Sequence, residues 1–164
     1  FLVFQLNAKT IGPTIVIEKR EFGDTEHVYM PKWILKLLRP DYGDDYEDTD
    51  AGGVVYYANY LKFIERARSE WVRNIGLDQN LLRNDFGIVF AVRKVEADYI
   101  KAAKFDDLLT ISTELISKTR VRLKLNQDIY RDNDLVFRAV LDIVSIDMSG
   151  VLVKLPKVIF DKFT

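Results

Sequence analysis

Between Tyr57 and Ile75 the apolar positions Tyr57, Tyr60, Leu61, Ile64, Ala67, Trp71 and Ile75 recur at helical spacing. Asn59, Lys62, Arg66, Ser69 and Arg73 form a polar stripe beside them, and Gly76 comes next, where a helix C′ glycine stands. The spacing predicts a helix from about Tyr57 to Ile75. Its apolar arc is broad, so it should pack deeply, against a sheet. Arg68 interrupts the pattern, pointing at about 100° per residue into the arc between Ile64 and Trp71. A buried guanidinium needs a carboxylate, which Glu65 or the acidic segment before the helix could supply. Alternatively, Arg68 snorkels to an edge. The sequence leaves both open.

The residues beyond the helix narrow the fold. After a short helical stretch at Asp78–Arg83, Val89, Ala91, Val95, Ala97 and Tyr99 alternate with more polar neighbours. Leu109, Ile111, Thr113 and Leu115 alternate again, as do Val121, Leu123, Leu125 and Ile129. Leu135–Ile146 is apolar on both faces, as suits a central strand, and Val151, Val153 and Leu155 read as a last strand. Turns fall at Arg131–Asp134 and Asp147–Gly150. One long helix followed by five consecutive strands is an α+β pattern, an antiparallel sheet with the helix packed on it. Residues 1–45 are less regular. Thr14–Glu18 alternates weakly, Lys32–Leu38 suits a short helix or strand, and Pro40, Gly43, Asp41, Asp44 and Asp45 then break the pattern.

Composition excludes several kinds of chemistry. The 164 residues fit one domain, and 24 basic against 25 acidic side chains leave no basic excess for nucleic acid. No cysteine is present, so disulfides, thiolate metal sites and a cysteine nucleophile are excluded. His27 is the single histidine, no G-x-S-x-G elbow accompanies it, and a multi-histidine metal site cannot form within one chain. It reads as a surface residue in a charged segment. No apolar run approaches the ~20 residues of a membrane helix. Phe1–Leu6 is short for a signal peptide and lacks a basic start. The expectation is a cytoplasmic protein without cofactor or metal. If it is an enzyme, its acid–base work falls to carboxylates.

Asp48 and Asp50 stand in a turn just before the helix, followed by Gly52 and Gly53, which permit positive φ and close backbone approach. A helix start presents unpaired N–H groups and partial positive charge. A carbonyl oxygen gaining negative charge would be stabilised there, and removing one such donor typically costs ~3–4 kcal/mol. Asp50 could act on the carbon. From spacing alone, an acidic N-cap is the competing explanation.

The string Tyr46-Glu47-Asp48-Thr49-Asp50-Ala51-Gly52-Gly53-Val54-Val55-Tyr56-Tyr57-Ala58-Asn59-Tyr60 closely resembles the signature of the 4-hydroxybenzoyl-CoA thioesterase family. Within it, the chain looks like the tol-pal system-associated, YbgC-type acyl-CoA thioesterases. Glu65–Arg68, Val92–Tyr99 and Phe105–Leu108 match as well, and the likeness runs from Tyr46 to Phe163. It implies a hotdog fold, an antiparallel sheet wrapped around one long central helix, over residues 46–164. Residues 1–45 are then an atypical N-terminal extension, with the first strand displaced to Thr14–Arg20 or Trp33–Leu38. The resemblance further implies a homodimer or homotetramer with active sites at the subunit interface. Asp50 would be the catalytic carboxylate, as nucleophile or general base, and the backbone N–H of Tyr57 would polarise the thioester carbonyl. Many relatives carry histidine where this chain has Tyr57.

Acyl-CoA, or an acyl carrier protein, is the implied partner. Tyr56, Tyr60, Phe63 and Phe90 are candidates for an acyl channel, core packing being the alternative, and Glu65 is a further substrate-binding candidate. Arg120, Arg122 and Lys124 alternate two residues apart, ~7 Å, on what reads as one strand face. Lys118 and Arg120 also lie near where relatives place nucleotide-binding arginines. A solvated sheet face is the alternative there. Two other functions compete. A hydroxyacyl dehydratase on this fold would pair a histidine with a carboxylate across an interface, and the single His27 lies outside the matched region. A non-catalytic module binding acyl-CoA or acyl carrier protein stays open.

Overall fold

The long helix forms where its spacing predicts it. The structure, a computed structural model, describes residues 17–19, 32–36, 53–104 and 107–163. Helix α1 spans Tyr57–Asn74 and closes through Ile75 and Gly76, where φ is 75° and the Gly76 amide donates to the Arg73 carbonyl at 2.9 Å. Its buried face is Tyr60, Phe63, Ile64, Ala67, Trp71 and Val72, an i, i+3, i+4, i+7 stripe.

That face is rotated from the one expected. Tyr57 and Leu61 are 61% and 40% exposed, whereas Asn59, expected in the polar stripe, is 1% exposed. The row Tyr57–Leu61–Glu65 stays outside while Asn59 and Phe63 turn inward. Apolar residues on both sides of the stripe left its centre undetermined by about one position, and packing against the sheet decides it.

A second helix, α2, covers Gln79–Phe86. The Asp78 side chain caps it, accepting from the amides of Asn80 (2.7 Å) and Leu81 (3.4 Å). Gly87 ends it at φ 63°.

Among the described residues the strands are β1 (Ile17–Lys19), β2 (Lys32–Lys36), β3 (Ile88–Tyr99), β4 (Leu108–Thr119), β5 (Arg122–Arg131) and β6 (Asp134–Asp147). They form one antiparallel sheet in the order β1-β2-β4-β5-β6-β3. β2 lies within the Lys32–Leu38 stretch and pairs with β4, Lys32 facing Ser112 and Lys36 facing Leu108. β6, apolar on both faces, sits between β5 and β3. The β5–β6 hairpin turns at Asp132, whose φ of 54° is tolerated because a short polar side chain can bond locally.

Four strands succeed the helices, not five. Val151–Leu155 forms no ladder strand. Leu152 makes an isolated bridge to Ile146, the Val153 amide donates to Ser145 (3.0 Å), and the Leu155 amide crosses to the Arg120 carbonyl (2.6 Å). Splitting its hydrogen bonds between β6 and the β4–β5 turn prevents continuous pairing. Pro156, which has no N–H, then leads into the short helix α3 (Lys157–Phe160).

One face of the sheet carries the core. Leu109, Ile111 and Thr113 of β4, Leu123, Leu125, Gln127 and Ile129 of β5, and Phe137, Ala139, Leu141 and Ile143 of β6 are all buried. Helix α1 lies on β4 and β5. Gln127 fastens it there, its Nε2 donating to the Ile64 carbonyl at 2.9 Å and to Thr113 Oγ1 at 2.8 Å. The class is α+β, as the element pattern predicts. Among the described residues, no helix is long and apolar enough to cross a membrane.

Candidate active site

The candidate carboxylates Asp48 and Asp50 lie outside the described residues, as do His27, Phe105 and Asp106. The site is therefore built from Gly53 onward. Gly53 has φ 74°, a value that favours glycine. Val54 then bridges to Lys104, and the Val55 amide donates to the Ala103 carbonyl at 2.8 Å. The segment leading into α1 is thus pinned to the loop after β3.

That loop is itself held from three directions. The Ala103 amide donates to the buried Tyr60 hydroxyl at 2.9 Å. The Lys104 amide donates to Asp107 Oδ2 at 2.7 Å, and Arg131 reaches both Asp107 Oδ2 (3.0 Å) and the Ala102 carbonyl (3.2 Å). Burial pushes the Tyr60 phenol pKa up, the Ala103 amide offsetting part of the rise. The hydrogen bond and charge of Asp107 hold the Arg131 guanidinium still more firmly protonated.

Helix α1 opens without a side-chain cap from its own N-cap residue. Tyr56 takes the N-cap position at φ −58°, ψ 132°, makes no side-chain cap bond, and no acidic residue stands in the first turn. The Tyr56 carbonyl accepts from the Asn59 amide at 2.9 Å. Among the described residues, no side chain caps the positive end of the helix.

Aromatic rings wall this end. Tyr56 and Tyr57 have centroids 4.5 Å apart, Tyr99 meets Tyr57 and Tyr60 edge-on at 6.4 and 5.5 Å, and Tyr60 stacks on Phe137 at 5.2 Å. The Tyr99 hydroxyl donates to the Tyr57 carbonyl at 3.2 Å. Burial, followed by the neighbouring Tyr57, raises the Tyr99 phenol pKa. An uncapped helix start beside apolar ring faces suits a polarised carbonyl attached to an apolar group.

The other expected residues separate. Tyr56 and Tyr60 come together here, but Tyr60 is buried with its hydroxyl committed to Ala103. Phe63 is core. Phe90 meets Phe163 edge-on at 5.8 Å, and Phe163 in turn lies 5.7 Å from Trp71 in the helix's last turns. Glu65 is exposed and accepts from the Ser69 hydroxyl at 2.9 Å.

Arg68 is half-buried. Its partner among the described residues is the neutral amide of Gln127, with NH1 donating to Oε1 at 3.1 Å. Burial lowers its pKa and the charge of Glu65 partly restores it.

The basic candidates also divide. Lys118 Nζ donates to the carbonyls of Phe160 (3.3 Å) and Phe163 and sits 4.4 Å over the Phe160 ring. Arg120 lies in the β4–β5 turn rather than on a strand, and its Nε donates to the Leu155 carbonyl at 2.6 Å. Both tie down the C-terminal segment. Arg122 and Lys124 remain exposed on β5, two residues apart and so on one face.

Sequence reasoning passed over Gln127 and gave Tyr99 no role at the site. Gln127 falls two residues after Leu125 and two before Ile129, so the alternation itself marked it as inward-facing.

Residues 52–137 match the family described as the thioesterase superfamily. The chain is 39% identical over 103 residues to the acyl-CoA thioesterase YbgC of Haemophilus influenzae, covering 63% of this chain and 76% of that protein. It is 42% identical over 103 residues to the acyl-CoA thioester hydrolase YbgC of Escherichia coli O157:H7, covering 62% of this chain and 76% of that one. Its structure resembles that of a probable thioesterase from Bartonella henselae with a TM-score of 0.69 and 31% identity, covering 78% of this chain and all (100%) of the other.

Proposed function

The chain belongs to the thioesterase superfamily, in its YbgC-type branch and with the hotdog fold, and on that premise we propose that it hydrolyses acyl-CoA to a free acid and coenzyme A. The observation that carries this reading is the start of α1 at Tyr56–Tyr57, which no described side chain caps, downstream in sequence of the Asp50–Gly53 stretch. Asp50 precedes Tyr56 by six residues, a stretch that can span at most about 22 Å, so the chain allows its carboxylate to reach that helix end.

In this reading the Tyr57 N–H polarises the thioester carbonyl. Asp50 acts on the carbon in one of two ways. As a nucleophile, its carboxylate adds to the carbonyl carbon, the C–S bond breaks, coenzyme A leaves as thiolate, and water opens the resulting anhydride. As a general base, it takes a proton from water while the water oxygen adds and the same C–S bond breaks. Either route yields one acid and one thiol.

Tyr56 and the exposed ring of Tyr57 flank the acyl group, and Tyr60 and Glu65 complete its surroundings, Tyr60 through the loop it holds. Arg122 meets the coenzyme phosphates, with Arg120 offering its terminal guanidinium nitrogens and Lys118 standing behind them. The working unit is a homodimer or homotetramer whose sites are completed across the interface. The edge position of β3, with Val92 and Val95 exposed, supports this. The setting is cytoplasmic, within the tol-pal-associated branch, with coenzyme A or acyl carrier protein as thiol carrier.

The test is Asp50→Asn in the full chain, assayed by thiol release across a panel of acyl-CoA substrates. Turnover should vanish while the circular dichroism spectrum is unchanged. Near wild-type turnover in that variant would exclude Asp50 as the catalytic carboxylate.

A further inference from the structure

Tyr99 ends β3, and its phenol sits against the first turn of α1. Its ring packs edge-on to Phe137 at 5.1 Å and to Tyr60 at 5.5 Å, two buried residues that fix its position. From there the hydroxyl donates to the Tyr57 carbonyl at 3.2 Å. A helical carbonyl uses one lone pair for the amide four residues on and has a second to offer. Tyr99 takes that second position, at the residue with which α1 begins.

The segment before this turn is pinned through Val55 to Ala103, but the turn's own side chains add little at the helix end. Tyr56 supplies no side-chain cap, the first turn carries no acidic residue, and the Tyr57 side chain is 61% exposed. First turns fray when their end groups are unsatisfied. Donors that stabilise a developing oxyanion act through being fixed in advance, and looseness there weakens the transition state more than ground-state binding.

We propose that Tyr99 is a positioning residue for thioester hydrolysis, its hydroxyl holding the Tyr57 peptide so that the first-turn amides of α1 face the thioester carbonyl. This rests on the hydrolase reading. Tyr99 acts through the helix start.

The experiment compares full-length wild type, Tyr99→Phe and Tyr99→Leu with the best substrate of an acyl-CoA panel, rates being normalised to the folded fraction. Tyr99→Phe keeps the ring and removes only the hydroxyl. Its kcat should fall about three- to tenfold, the worth of one modest hydrogen bond, with KM within about twofold. Its thermal midpoint should stay within about 2 °C. Tyr99→Leu also removes the ring packing and should lose at least as much kcat. Wild-type kcat in either variant overturns the proposal, and so does a fall in rate that merely tracks a falling midpoint. Absence of thiol release by the wild type itself would instead bring down the hydrolase reading, and the role of Tyr99 with it.

Discussion

Arg68 on α1 donates to Gln127 on β5 at 3.1 Å, the guanidinium of one element meeting a fully buried neutral amide of the other. The same amide donates from Nε2 to the Ile64 carbonyl and to Thr113 Oγ1, so three elements converge on one side chain. Gln127→Leu keeps similar volume but leaves Thr113 and the half-buried Arg68 without these bonds. A group stranded in this way costs about 1–3 kcal/mol. The variant should therefore unfold at lower urea by about that amount, with an unchanged m-value. Equal stability of the two proteins would show that Gln127 does not fasten the helix.

The outer face of the sheet holds an ion pair with a defined pH signature. Asp128 is 4% exposed, and Arg138 across the β5–β6 ladder grips it with Nε to Oδ1 at 2.8 Å and NH2 to Oδ2 at 2.7 Å, while Tyr130 adds a third bond at 3.0 Å. Burial would raise the Asp128 carboxyl pKa. The Arg138 and Tyr130 bonds and the Arg138 charge together outweigh burial, and the net shift is downward. A carboxylate with a lowered folded pKa stabilises the fold above its unfolded value of about 3.9, and that stabilisation is lost as pH falls through the folded pKa. Urea unfolding at pH 7 and near pH 3 should show a smaller acid-induced loss for Asp128→Asn than for wild type. Arg138→Ala at pH 7 should cost about 1–3 kcal/mol by leaving a buried carboxylate without its partner. The upper range for fully buried pairs is not expected, because the Arg138 side chain is 46% exposed.

Period and alternation made most of the frame legible. Tyr60, Ile64, Ala67 and Trp71 gave the helix its spacing, and Leu109–Ile111–Thr113 and Leu123–Leu125 gave the inner sheet face its own. What failed was the choice among near-equivalent faces, as with Leu61 against Phe63, because hydropathy fixes a stripe's width better than its centre. Arg68 was undecidable for a related reason: its hydrogen-bond partner among the described residues comes from a strand 59 positions away and carries no charge. The Val151–Leu155 stretch alternates like a strand, yet its hydrogen bonds go to two different elements. At the site, the motif around Asp50 was plain in the sequence, while Tyr99 was not. Its role depends on β3 ending beside the first turn of α1, a tertiary relationship that no local pattern encodes.

The basic side chains proposed to meet coenzyme A phosphates make different commitments, which two variants should separate. Lys118 and Arg120 donate to carbonyls of the C-terminal segment, at Phe160, Phe163 and Leu155, whereas Arg122 stands exposed on β5. If the Lys118 ammonium chiefly holds that segment, Lys118→Met should lower the thermal midpoint by a few degrees, about 2–4 °C per kcal/mol lost, with little change in KM. Arg122→Met should do the opposite. Losing one charge-assisted phosphate contact should raise KM for acyl-CoA about three- to tenfold and leave the midpoint unchanged. The Arg122 effect should shrink as salt is raised, since an exposed cation is screened over about 10 Å at 0.1 M. A KM change confined to Lys118→Met would reverse the assignment, making Lys118 the phosphate contact and Arg122 part of a solvated sheet face.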